Sequence, residues 1–120
     1  MTSQGSPYAR FRRALDRGNL LEALSSASEL EHVGLAEALE LCLLLREKQP
    51  ARYTRAALSW HGRYCREVDV SFEEAQAVLA ALALLAGERK RNAAYALAEL
   101  LSRRGLERPC EALVAWAREA

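Results

Sequence analysis

Apolar residues recur along this chain at steps of three and four, and glycine or proline interrupts the rhythm, which lays out a succession of short helices. Ser6-Pro7 puts a capping side chain ahead of a proline in the first turn. Phe11, Ala14 and Leu15 then form an apolar stripe that Gly18 ends, predicting a helix over 7–17. Asn19 caps the next pattern, Leu20, Ala23, Leu24, Ala27 and Leu30, which breaks at His32-Val33-Gly34, so the first two helices form a hairpin. A third helix carries Leu35, Leu39, Leu41, Cys42 and Leu45 and stops before Pro50, because a residue preceding proline is pushed out of the helical region. Pro50 opens a longer helix to Glu67 with Tyr53, Ala56, Ala57, Trp60 and Tyr64 on one face. Ser71-Phe72-Glu73-Glu74 is a capping box and starts the fifth helix. From Ala75 to Ala86 only Gln76 is polar, which predicts a helix surrounded by others on every side. Gly87 ends it, a sixth helix runs over 89–104, and after Gly105 a seventh opens at Pro109 and reaches Trp116.

Composition strengthens the helical reading. Alanine and leucine fill 44 of the 120 positions, isoleucine fills none, and valine plus threonine fill seven, so β-branched residues are almost absent. The length suits one domain with its own core. The predicted fold is all-α: residues 1–6 a disordered tail and 7–120 a single domain of seven short helices. Its architecture is either a helical-hairpin array or a compact orthogonal bundle, with the 71–86 helix at the centre.

The run Gly18 to Leu24, Gly-Asn-Leu-Leu-Glu-Ala-Leu, resembles the inter-helix turn of a tetratricopeptide repeat. Leu35 stands where that repeat closes with proline, Ala27 stands where its second helix carries a large aromatic, and no other unit repeats the pattern. The resemblance implies stacked helices and transfers no peptide-binding groove.

Charge narrows the partners. Seventeen basic and 16 acidic residues leave a net charge of +1, so no global field draws the chain to nucleic acid or an anionic membrane. Local clusters remain. Arg52, Arg55, Ser59, Arg63 and Arg66 follow at three- and four-residue steps and fall within about 80° of one helix. Tyr53, Trp60 and Tyr64 lie about a third of a turn away. Arginines beside exposed aromatics would suit phosphate contact and base stacking, whereas a solvated face whose arginines pair with glutamates would not. Arg10, Arg13 and Arg17 form a second cluster. Arg89, Lys90 and Arg91 form a third, at a helix start where cations oppose the dipole. A helix-turn-helix reader would need polar base-reading residues after that turn, and only Asn92 offers one.

Catalytic chemistry is sparse. His61 and Cys65 share four-residue spacing that could pair imidazole with thiol, but no third orienting group accompanies them. Cys42, Cys65 and Cys110 lack ligand spacing and read as free reduced thiols, and no phosphate loop or zinc motif is present. The expectation is therefore no catalytic residue, no cofactor and no metal. Met1 to Ser6 lacks the character of a secretory signal, and the longest apolar run, Ala77 to Ala86, is too short to cross a bilayer, so the cytoplasm is the expected compartment. What remains is interaction: a helical scaffold binding a protein partner, a homodimer among the options, with accessory nucleic-acid binding by the arginine stripe as the alternative. Trp60 and Trp116 are the expected anchors, the latter on a terminal helix with an apolar face of Leu113, Val114 and Ala117.

Overall fold

Three of the helix starts rest on a side-chain cap that the sequence supplies. In the computed structural model, which describes residues 6–119, Ser6 Oγ accepts from the Ala9 N–H at 3.2 Å and opens α1 (Pro7–Arg17). Gly18 ends α1 at φ 70°, a left-handed conformation that a Cβ makes costly. Asn19 Oδ1 accepts from the Glu22 N–H at 3.1 Å and starts α2 (Leu20–Ala27), closing the hairpin through two residues. α3 (Leu35–Lys48) follows, and a 3-10 turn at Pro50–Arg52 leads into α4 (Tyr53–Glu67). Ser71 Oγ accepts from the Glu74 N–H at 3.1 Å to begin α5 (Phe72–Leu85). α6 (Lys90–Arg103) ends near Gly105, whose φ of 74° turns the chain into α7 (Glu107–Glu119). Among the described residues there are seven α-helices and no strand, so the all-α single domain is as expected. The tail expected over 1–6 lies, apart from Ser6, outside the described residues.

Two apolar clusters hold these helices together. α3 packs on α4 and α7, α5 on α4 and α6, and α6 on α7, so α3 to α7 close into a ring. Inside it Leu39, Tyr64, Leu82, Leu85, Leu97 and Leu113 are all but removed from water, the burial of each leucine contributing about 1.5–3 kcal/mol. The second cluster is small: Phe11, Ala14 and Ala23, with Leu15, Leu41 and Leu44 against them, seat the α1–α2 hairpin on α3. Contact between α3 and α7, far apart in sequence, makes this a closed bundle with an appended hairpin rather than an open array. Its extents are 47 × 30 × 23 Å.

The helix expected at the centre is at the edge. α5 buries Val78, Ala81, Leu82 and Leu85, while Phe72 is 76%, Leu79 38% and Leu84 56% exposed, and Ala77, Ala80, Ala83 and Ala86 are exposed too. The reason lies in side-chain size. An exposed alanine forfeits little apolar area, so a run of alanines reads as apolar without having to be buried. The larger residues Val78, Leu82 and Leu85, at steps of four and three, mark the face that packs. Centrality belongs to α3, which is apolar on two sides because it serves both clusters: Leu39, Cys42 and Leu43 in one, Leu41 and Leu44 in the other.

Candidate interaction surface

The inner side of α5 is pinned by hydrogen bonds to its backbone carbonyls. Tyr53 donates its hydroxyl to the Leu82 carbonyl at 2.7 Å, His61 Nε2 lies 2.7 Å from the Ala75 carbonyl, and Arg46 Nε donates to the Leu85 carbonyl at 2.9 Å. Arg46 thereby serves a C-terminal carbonyl that the helix itself cannot satisfy. At the other end Glu74 forms an ion pair with Arg104, whose hydrogen bonds hold the Glu74 carboxyl below the usual carboxylate range. The capping box is thus half made: Ser71 caps α5, while Glu74 turns to α6 instead of back to Ser71.

These contacts leave the opposite side of α5 bare. At 100° per residue, Phe72, Gln76, Leu79, Ala80, Ala83 and Leu84 fall on one broad arc facing solvent. The bonds from Tyr53 to Leu82 and from His61 to Ala75 also fix the antiparallel register of α4 on α5, which brings Leu58 level with Ala77 and Val78. Leu58, 55% exposed, therefore extends the apolar face toward α4.

The arginine stripe of α4 takes another form than a stacking platform requires. Arg52, Arg55 and Arg66 are exposed, Arg52 donating to Gln49 Oε1 at 3.0 Å, while Arg63 is tied to Glu67 at 2.5 Å. The neighbouring aromatics are in the core: Tyr53 and Trp60 are 3% exposed and Tyr64 0%. Trp60 and Tyr64 stack on each other with centroids 5.3 Å apart, and Trp60 Nε1 donates to the Leu35 carbonyl at 2.9 Å. Trp60 is consequently a core residue and not a surface anchor.

The other basic groups are distributed among structural tasks. Lys90 pairs with Glu47 at 3.3 Å and lies 5.5 Å over the Trp116 ring, while Arg89 is exposed and Arg91 exposed but engaged. Arg10 joins Glu29 at 2.7 Å, and Arg12 bridges Asp16 and Glu40 at 2.9 and 2.5 Å, linking α1 to its own last turn and to α3. Tyr8 donates to the buried Glu37 at 3.1 Å across the same junction. Much of the arginine excess is therefore spent between helices, where the planar fork suits carboxylates. Trp116 is partly buried and lines an open groove of about 440 Å³ with Leu43, Leu44 and Lys48.

His61 and Cys65 come together on one side of α4. Cys65 Sγ is 3.7 Å from His61 Nε2, but that nitrogen carries its proton toward the Ala75 carbonyl, and Nδ1 is 4.0 Å away. All three cysteines are free, and burial pushes the Cys42 thiol up to about 12. Among the described residues no group of His, Cys, Asp and Glu is placed to hold a metal ion, and no helix is long and apolar enough to cross a membrane.

The fold and this surface define an all-α domain with an apolar helical face open to solvent. Against known proteins the chain matches no family model, no curated protein and no solved structure.

Proposed function

We propose that this chain is a non-catalytic helical module that binds a protein partner through the outer face of α5, working in the cytoplasm, where its free thiols stay reduced. The observation that carries the reading is the exposure of Phe72, Leu79 and Leu84 in line with Ala80 and Ala83, with Leu58 beside them. Isolated exposed leucines are ordinary, but a contiguous apolar face is the signature of an interaction site. A nucleic-acid role for the Arg52, Arg55 and Arg66 stripe finds less support, because the rings that would stack bases are buried beside it.

A photo-reactive benzoylphenylalanine distinguishes the two surfaces. Placed at position 84 in the full chain and irradiated in cells, it should give a covalent protein adduct that Leu79→Glu abolishes, and at position 55 it should give none. Adducts confined to position 55, or nucleic-acid binding that weakens steeply with salt and vanishes in an Arg52→Glu, Arg55→Glu, Arg66→Glu variant, would overturn the proposal.

A further inference from the structure

The geometry points to a second copy of this chain as the occupant of the α5 face, paired antiparallel across a two-fold axis near Ala80. This inference rests on the reading of α5 as an interaction surface and names its partner.

Two features make the face complementary to itself. The first is shape. The exposed apolar face runs from Phe72 to Gly87, so its midpoint falls between Leu79 and Ala80, and large and small residues are distributed unevenly about that point. Turned end over end about that midpoint, Phe72 of one copy lies level with Gly87 of the other, Gln76 with Ala83, Leu79 with Ala80 and Leu84 with Ala75. Each bulky side chain finds a shallow position, and the alanines at the axis let the helices approach closely. A parallel pairing would set Phe72 on Phe72 and Leu84 on Leu84.

The second feature is charge. The N-terminal end of α5 carries Asp69, Glu73 and Glu74, and the turn after its C-terminus carries Arg89, Lys90 and Arg91 against Glu88 alone. Glu74 is already paired with Arg104, Lys90 with Glu47, and Arg91 is engaged, while Glu73 and Arg89, both exposed, stand at opposite ends of the face beside Asp69 and Glu88. The twelve helical residues from Glu73 to Leu85 alone put about 18 Å of axial rise between the two ends of the face, far beyond pairing distance. Only an antiparallel partner brings each beside its opposite, twice per dimer, and the helix dipoles then also run counter to one another.

Size sets the strength. α5 is about 21 Å long and one helix wide, which places the buried area at or below the lower end of stable interfaces, so the dimer forms reversibly at micromolar or higher concentration. Sedimentation velocity from micromolar to millimolar protein should show the 13.3 kDa species giving way to one of twice that mass. Ala80→Glu sets two like charges beside the axis and should hold the chain monomeric with an unchanged melting temperature, since Ala80 is exposed in the monomer. Glu73→Arg and Arg89→Glu should each weaken association about 2- to 30-fold, and the combined swap should restore it.

A chain monomeric throughout, or a dimer indifferent to Ala80→Glu but abolished by Trp116→Ala, would overturn the inference. Adducts at position 84 with another protein and none at twice the chain's mass would also overturn it, while leaving α5 an interaction surface. No adduct of any mass at position 84 removes the interaction reading itself.

Discussion

Tyr64 stands in the main core with its hydroxyl buried and, among the described residues, without a hydrogen-bond partner, while its ring stacks on Trp60. A buried polar atom with no partner loses its water contacts for nothing, so this hydroxyl works against the fold. Burial also moves its ionisation upward. Tyr64→Phe keeps the ring and removes that cost, so thermal denaturation should find the variant at least as stable as the parent; a loss above about 1 kcal/mol would show that the hydroxyl has a partner after all. Cys42 obeys related physics with a pH signature. Its thiol is neutral when protonated, and burial raises its folded value to about 12 while the unfolded chain keeps the ordinary value of about 8.5. Above that value the unfolded state loses a proton that the folded state retains, so this group costs stability as pH rises from about 8.5 toward 12. Cys42→Ala should flatten the alkaline loss in a pH series of denaturation curves. A thiol reagent at mildly alkaline pH should reach Cys65 and Cys110, both partly exposed, before Cys42.

The helices were legible where a local bond makes them. Ser6, Asn19 and Ser71 accept from backbone N–H groups three residues on, and Gly18 and Gly105 take the left-handed turn, because caps and stops depend on the neighbouring few residues alone. Boundaries shifted where no such bond exists: α2 stops at Ala27 rather than nearer Leu30, and Pro50–Arg52 winds as a 3-10 turn before α4. The face each helix buries was harder to read, since it depends on which neighbour arrives. α3 could be seen as core, but not as the element between two clusters. The α1–α2 hairpin gives this a measurable consequence. Its cluster with α3 is centred on Phe11, Ala14 and Ala23, in which Phe11 is the one large buried side chain. Phe11→Ala should cost about 3–5 kcal/mol of the hairpin's local stability. Hydrogen exchange should then show α1 and α2 losing protection while α4 to α6 keep theirs. Equal loss across all helices would mean that the two clusters unfold as one unit.

At the scale of the molecule, the closure of α3 onto α7 and the placing of α5 at the rim were beyond the sequence for one physical reason. Hydropathy ranks alanine with the apolar residues, but burial follows the area a side chain removes from water, and in α5 Val78, Leu82 and Leu85 supply most of it. The adjacent leucines Leu84 and Leu85 measure the outcome directly. Leu85 is 0% and Leu84 56% exposed, so in dilute solution Leu85→Ala should cost about 2–5 kcal/mol and Leu84→Ala well under 1 kcal/mol. Had α5 been the central helix, the two costs would match. The self-association inferred above adds a second dimension to the same pair, because a contact made between copies contributes only where copies meet. The penalty of Leu84→Ala should therefore grow as protein concentration rises through the dimerisation range, while that of Leu85→Ala stays nearly level. Chemical denaturation of both variants at two well-separated concentrations reads both effects: a small Leu84 penalty independent of concentration would place α5 at the rim of a monomer, and a penalty rising with concentration would place it at the seam of a dimer.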